Sequence, residues 1–179
     1  MNNNQKTQPL TWSELKGRAV IDIMTAKRVG SVDDLVLDRQ TYQIVGLKFK
    51  SGLFSAAQTV PAHSIKGVGD DAITLQLEKE DQPASSDEPT PQNLPALSQV
   101  IGNSVVTEGG KHIGEITNIQ LSLQPLAITR YEISKGDIFS KTHAVEITSA
   151  VHYVQKLVII PDSLLDAFTP SSEANVAQS

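Results

Sequence analysis

The apolar positions of this chain alternate with polar ones over short runs, and both halves show the same alternation. The clearest runs are Val45, Leu47 and Phe49 in the first half, and Thr129, Tyr131 and Ile133 in the second. A period of two is typical of a strand with one buried face. Turn-forming stretches such as Ser51-Gly52 separate the runs. Short strands joined by turns predict a mainly β chain of small barrels or sandwiches, and a closed barrel also hides its strand edges.

The two halves resemble each other at an offset of 84 to 85 residues. The matched positions keep either a glycine or an apolar side chain: Gly17 and Gly102, Gly30 and Gly114, Val32 and Ile116, Leu37 and Leu121, Gly52 and Gly136, Phe54 and Phe139, and Val60 and Val145. This offset is well above the period of solenoid repeats, which is about 20 to 50 residues. The sequence therefore predicts a duplicated domain.

A local irregularity recurs in both halves. Three apolar residues are spaced by three and then by two positions: Val32, Leu35 and Leu37, and again Ile116, Ile119 and Leu121. A regular strand cannot turn all three inward without one extra residue. We therefore predict a β-bulge at Asp33-Asp34 and another at Thr117-Asn118.

Short helical turns are expected beside the strands. The run Thr11-Trp12-Ser13-Glu14 has the pattern of a capping box, and Trp12 and Leu15 would then pack on the end of a barrel. Residues 161–168 begin with a proline and resemble a closing helical turn.

Composition divides the chain into two domains and three polar segments. From Glu78 to Pro91 the chain is acidic, rich in Pro and Ser, and without an apolar residue larger than Ala, so burial cannot offset the entropy of ordering it. The predicted division is a disordered N-terminus at 1–9, a first domain at 10–77, a linker at 78–95, a second domain at 96–168 and a disordered tail at 169–179. We expect the two domains to touch, although the linker would permit independent motion.

Charge and cysteine content narrow the class of protein. The net charge of the chain is -5. Residues 10–77 carry 8 basic and 7 acidic side chains, for a net charge of +1. Residues 78–97 carry 1 basic and 5 acidic side chains (net −4), and residues 98–168 carry 5 basic and 7 acidic side chains (net −2). Direct binding of nucleic acid is not expected, because it needs a clustered positive surface. The chain has no cysteine, which fits a reducing compartment. Its polar start is not typical of a secretory signal, and no apolar run approaches the roughly 20 residues of a spanning helix.

Several motifs of the first half resemble the PRC-barrel family. They are the runs at 15–20 and 28–38, the pair Val60-Pro61 with the residues up to Ile65, and the run from Gly67 to Leu75. The second half, from about residue 96 to 161, is similar more loosely: it keeps Gly102 and Gly114 but has Val145-Glu146 in place of the Val-Pro pair. The resemblance implies two small PRC-type β-barrels in tandem with short flanking helices.

The family includes the cytoplasmic domain of the photosynthetic reaction-centre H subunit and the C-terminal domain of the ribosome maturation factor RimM. The resemblance therefore implies a non-catalytic protein-binding adaptor or assembly factor that docks on a photosynthetic membrane complex or its antenna. A RimM-type maturation factor that binds a ribosomal protein is one alternative, and a small-ligand-binding or stress-related protein is another. The expected place is the cytoplasm, including the cytoplasmic face of a photosynthetic membrane reached only through the partner, and a homodimer is left open.

No constellation of residues predicts catalysis, a cofactor or a metal. The four histidines, His63, His112, His143 and His152, show no ligand spacing. Asp33 and Asp34 are adjacent in a strand and point to opposite faces, so they would not share a target. The Gly69-Asp70-Asp71 run is typical of a turn. We expect neither catalytic residues nor a bound cofactor, and we expect that the chain is not an enzyme.

Two equivalent segments are the candidate partner contacts. Leu53 and Phe54 follow one turn, and Ile138 and Phe139 follow the matching turn of the second half. Exposed apolar side chains of this kind mark interaction sites. The alternative is that they fold over and plug the barrel ends.

Overall fold

The computed structural model of the chain describes residues 10–38, 40–52, 55–77, 94–135, 142–146, 152–154, 156–167 and 169–170. The helical turns within these ranges are α1 (Trp12–Leu15) and the 3-10 turns η1 (Ala62–Ser64), η2 (Leu97–Gln99) and η3 (Asp162–Ala167). The strands are β1 (Leu10–Thr11), β2 (Ala19–Asp22), β3 (Lys27–Leu37), β4 (Ile44–Lys50), β5 (Gln58–Pro61), β6 (Ile65–Val68), β7 (Ala72–Leu75), β8 (Ser104–Thr107), β9 (His112–Leu123), β10 (Leu126–Ser134), β11 (His143–Glu146), β12 (His152–Val154), β13 (Leu157–Ile160) and β14 (Thr169–Pro170). Within the described ranges, no helix has the length and apolar character needed to cross a membrane.

The strands form two sheets that repeat one topology. The first sheet has the order β5-β4-β3-β2-β7-β6, and the second has the order β12-β13-β8-β9-β10-β11-β14, with β1 paired to β9. Each sheet has one parallel pair, β2 with β7 and β8 with β13, among antiparallel neighbours. The predictions of a mainly β chain and of a duplicated domain are therefore confirmed.

Both predicted β-bulges are present. Val32 pairs with Phe49 and Asp34 with Lys48, so Asp33 is the extra residue. In the second domain the same step skips Thr117, since Ile116 pairs with Ile133 and Asn118 with Glu132. The extra residue lets the apolar side chains on both sides of it face the core.

The side chains that follow the bulges join the two domains reciprocally. The Asp34 carboxylate accepts hydrogen bonds from the backbone N–H of Ser98, at 3.1 Å, and from its hydroxyl. In the opposite direction, the Asn118 amide oxygen accepts from the N–H of Ser13, at 3.3 Å, and its amide nitrogen donates to the Ser13 hydroxyl at 3.0 Å. Asp34 and Asn118 are matched positions of the repeat, as are Ser13 and Ser98. The leading segment of each domain (residues 10–15 and 95–100) is thus held by the other domain.

Backbone contacts between the domains are also reciprocal, so a pseudo-two-fold axis relates the two domains. Leu10 of the first domain pairs with Leu121 of the second, and the N–H of Leu37 donates to the carbonyl of Pro95 at 3.0 Å. A β-bridge joins Gln43 and Ala127. Gln43 and Ala127 are matched positions, so the bridge lies at the pseudo-two-fold axis. The buried apolar side chains of both domains form one continuous cluster. The prediction that the two domains touch is therefore confirmed.

The flanking turns differ from the sequence expectation in what they contact. The Glu14 carboxylate accepts from the N–H and the hydroxyl of Thr11, at 2.8 and 2.6 Å, as a capping box requires on one side. Trp12 and Leu15 are buried as predicted, but α1 packs on β9 of the second domain.

Thr169–Pro170, assigned from composition to a disordered tail, instead pair with β11, because that strand offers an unpaired edge.

Two matched glycines allow the long strands to approach the ends of their neighbours. A Cβ atom at Gly30 would lie 2.4 Å from the carbonyl oxygen of Lys50, and one at Gly114 would lie 2.4 Å from that of Ser134. Since both obstacles are backbone atoms, a side chain at either position must displace a strand.

We predict that Gly30→Ala lowers the free energy of unfolding by about 1–3 kcal/mol, the usual cost of overpacking. The control is Gly69→Ala, whose Cβ would find its nearest neighbour at 3.5 Å, and which should change stability by about 0.5 kcal/mol or less. Urea denaturation of both variants measures the difference. Equal stability of the two variants would show that the strand shifts at little cost.

We also predict that Asp34→Ala destabilises the chain by about 1.5–3 kcal/mol, because it removes hydrogen bonds to a charged group. A double-mutant cycle with Ser98→Ala should give a coupling energy of about 1 kcal/mol or more. Asp33→Ala serves as the control: among contacts between described residues, it breaks the partly exposed Asp33–Lys50 ion pair, which contributes about 1 kcal/mol or less. A coupling energy near zero would contradict the reciprocal junction.

Candidate functional site

The contacts predicted from the sequence, Leu53, Phe54, Ile138 and Phe139, lie outside the described residues. The residues on both sides of the first pair are described. The N–H and the hydroxyl of Ser55 donate to the carbonyl of Gly52, at 3.3 and 2.8 Å, and the two serine hydroxyls, Ser51 and Ser55, are 3.0 Å apart. These bonds tie the two flanks of the segment together, and the role of Leu53 and Phe54 stays a prediction.

The paired acids have separate structural tasks. Asp33 pairs with Lys50 at 2.8 Å, whereas Asp34 reaches the leading segment of the second domain. Gly69 to Asp71 form the turn between β6 and β7. The N–H of Gly69 closes this turn by donating a hydrogen bond to the carbonyl of Ala72. Over the ranges that the structure describes, no three His, Asp or Glu side chains converge as metal ligands would.

Among the described residues of the first domain, the turn between β2 and β3 carries the most exposed large apolar side chains. Met24 is 67% exposed and Ile23 is 45% exposed, at the tip of this turn. Both side chains project from a turn that the backbone holds firmly, since the N–H of Ile23 donates to the carbonyl of Leu75 at 2.9 Å. We call Ile23 and Met24 the apolar tip.

A buried carboxylate fixes the conformation of the turn. Asp22 is only 7% exposed, and it accepts from the N–H of Met24 at 3.0 Å and from the hydroxyl of Thr25 at 2.7 Å. An aspartate that bonds the backbone two residues ahead is a standard turn former. Ala26 completes the turn with a φ of 54°. The apolar tip is thus presented in one orientation, which lowers the entropy lost on binding.

The second domain has a turn of the same length at the matching place, without the apolar side chains. Thr107 occupies the position of Asp22 and accepts from the N–H of Lys111 at 3.2 Å, and the N–H of Glu108 donates to the carbonyl of Ile160 at 2.9 Å. The tip of that turn is the exposed run Glu108-Gly109-Gly110. Since a turn of the same length forms at the matching place with polar residues and glycines, the connection between these strands does not require an apolar pair.

Exposed cationic residues lie at the same end of the sheet as the apolar tip. Lys27 and Arg28 follow the turn directly, and the Arg28 guanidinium donates to the carbonyl of Gly30 and to the hydroxyl of Ser31. Leu75 pairs with Asp22 on one side and with Ile65 on the other, which places the exposed Lys66 at the same end of the sheet. Neither Lys27 nor Lys66 forms an ion pair with a described residue. An apolar pair with cations around it suits a protein surface that has an apolar pocket bordered by carboxylates.

A cleft opens beside the pseudo-two-fold axis. It has a volume of about 280 Å³ and is lined by Gln43, Ile44, Ala62, His63, Ile65, Val68, Leu123, Pro125 and Leu126. No carboxylate is among these residues, and small-molecule sites usually measure about 300–1,000 Å³. The cleft therefore gives little support to the small-ligand alternative.

The resolved pKa shifts come from ordinary local contacts. The hydroxyl of Thr11 lowers the pKa of Glu14, and the N–H of Gln40 lowers the pKa of Asp38. Burial raises the pKa of the Tyr42 hydroxyl above its usual value of 10.0. A carboxyl group that acts as a general acid near neutral pH needs a raised pKa, and the pKa of both Glu14 and Asp38 is lowered.

Sequence reasoning missed both the apolar tip and the reciprocal junction. Their signal was present in the repeat. Ile23-Met24 matches Glu108-Gly109 in the second half, Asp34 matches Asn118, and Ser13 matches Ser98. An apolar pair that only one copy carries, at the tip of a shared turn, points to a role other than folding.

The comparisons with known proteins agree with the topology. The family model of the PRC-barrel domain matches the chain twice, over residues 10–82 and 95–165. None of the curated proteins matches the chain significantly. The PRC-barrel is a domain of the protein-interaction and assembly type. The two matches span most of the chain, and it therefore belongs to the PRC-barrel family, with two copies of the domain in tandem.

Proposed function

We propose that this protein is a non-catalytic adaptor or assembly factor that docks on a photosynthetic membrane complex or its antenna. The observation that carries the docking role is the apolar tip, Ile23 and Met24, which Asp22 holds rigidly and which the matching turn lacks. The reaction-centre branch of the family motivates the choice of partner. Its expected place is the cytoplasmic face of such a membrane, which it reaches through that partner.

In the proposed mechanism, the first domain contacts the partner, and the two domains together form the unit that carries this contact. The reciprocal junction and the shared core hold the second domain against the first. The second domain then supports the position of the tip without making the same contact, because its own turn is polar. A docked tip would bury two aliphatic side chains, while Lys27, Arg28 and Lys66 meet carboxylates at the rim of the contact.

The test of the partner is a native affinity purification of the tagged full chain from its own cells, membranes included, followed by mass spectrometry. We expect subunits of a photosynthetic complex or its antenna to be enriched over an untagged strain. Recovery of small-subunit ribosomal proteins in their place would overturn this proposal in favour of the RimM-type alternative.

The test of the surface is Met24→Asp in the same purification. We expect the affinity for the recovered partner to fall roughly tenfold or more, as at other interface hot spots, while the melting temperature is unchanged because the side chain is exposed. Val45→Ser is the matched control: Val45 is an exposed aliphatic residue, 37% exposed, on β4, and its substitution should leave binding intact. Recovery equal to that of the unaltered chain would place the contact elsewhere, with Phe54→Ser and Phe139→Ser as the next variants.

A further inference from the structure

The end of the hairpin between β9 and β10 carries exposed apolar side chains. Leu123 is 41% exposed, and Pro125 is exposed close to it. Leu123 pairs with Leu126 across the hairpin, and the Ser122 hydroxyl donates to the carbonyl of Pro125. These contacts hold the two sides of the hairpin together. We call residues 123–125 the hairpin end.

The first domain has polar residues at the matching place in the repeat. Arg39 and Thr41 match Leu123 and Pro125. The Asp38 carboxylate holds that connection by accepting from the Thr41 hydroxyl at 2.9 Å. Since polar residues serve the same connection in the other copy of the domain, the strands do not need exposed apolar residues here. The hairpin end therefore points to a contact outside the chain's own core.

The hairpin end lies at the cleft beside the pseudo-two-fold axis. Leu123 and Pro125 line this cleft from the second domain, and Ala62, Ile65 and Val68 line it from the first. The three residues of the first domain are half-buried. An apolar projection and an apolar cleft thus lie side by side on one face of the molecule.

This face differs in charge from the surroundings of the apolar tip. None of the described residues that line the cleft is Asp, Glu, Lys or Arg. Lys66 follows Ile65 directly in β6, but it does not line the cleft. A second copy of the same face can therefore approach without bringing like charges into the cleft, whereas the cations near the apolar tip would repel their own copies.

Shape and composition favour a second copy of the chain as the occupant of the cleft. Most soluble homo-oligomers are two-fold dimers, in which the same patch lies on both sides and must be self-complementary. A projection beside a cleft meets this condition, because a two-fold axis between them brings each hairpin end to the cleft of the other copy. Homodimer contacts are also more apolar than other protein contacts, and seven of the nine residues that line this cleft are apolar.

We propose that two copies of this chain associate through this face, with the Leu123 side chain of each copy in the cleft of the other. Each copy contributes few side chains, so we expect the dimer to form at about micromolar concentrations or above. The inference goes beyond the proposed adaptor function. A dimer would carry two apolar tips, and their simultaneous docking would raise the apparent affinity for a partner with two sites.

The experiment is sedimentation equilibrium of the full chain at concentrations from about 1 to 300 µM, a range that covers weak protein contacts. We expect the average mass to rise from that of one chain towards that of two. The association should be as strong in about 0.5 M sodium chloride as in about 0.1 M, or stronger, because the contact contains no ion pair that salt would screen.

Two variants test the two halves of the contact. Leu123→Asp should weaken the association by about tenfold or more, because it brings a carboxylate to an apolar cleft. Ala62→Leu fills the cleft without altering the hairpin end, and it should weaken the association by a similar factor. Met24→Asp is the matched control, since Met24 is also an exposed apolar residue, and it should leave the association unchanged.

Three outcomes would overturn the proposal. The first is the mass of one chain over the whole range, which would leave a different protein as the occupant of the cleft. The second is a dimer that Leu123→Asp and Ala62→Leu leave intact, with melting temperatures that show both to be folded; if one does not fold, the other decides. The third is a dimer that dissociates at the higher salt concentration. Capture of a partner through the apolar tip does not require the dimer, so the two proposals fail separately.

Discussion

The structure depends on two side chains that follow β-bulges. Asp34 and Asn118 each turn out of their own sheet and bind the leading segment of the other domain. Each bulge makes this geometry available, because the extra residue changes which face the following side chain takes. With both segments held, the apolar residues of the two domains form one cluster. A substitution at this junction therefore affects both domains, although each sheet has its own strand order.

The pseudo-two-fold arrangement makes the differences between the domains informative. Asp22 and Thr107 hold matching turns of equal length through different hydrogen bonds, and of these two turns the first alone presents exposed aliphatic side chains. Strands β5 and β11 occupy matching places, and among the described strands β11 alone has a neighbour on its outer side. The difference at the turn motivates the proposal that the first domain makes the contact with a partner, with the second domain as its support.

Much of the fold could be predicted from local patterns. The period-two alternation marked the strands, the change of spacing at Val32 to Leu37 marked the bulge, and the repeat offset marked the duplication. The first two signals depend on neighbouring residues of one strand and the third on a comparison of the two halves, so all three are present in the sequence itself. The candidate contacts Leu53, Phe54, Ile138 and Phe139 came from the same repeat and stay predictions.

The β class, the two copies of the domain, the bulges and the family motifs could all be read from the order of residues along the chain. The packing of residues 10–15 and 95–100 on the opposite domain, the exposure of Ile23 and Met24, and the pairing of Thr169–Pro170 with β11 became visible in three dimensions. The physical reason is that a periodic pattern fixes which face of a strand is apolar but not which element buries that face. The choice between two nearly equivalent sheets depends on contacts between residues far apart in the chain.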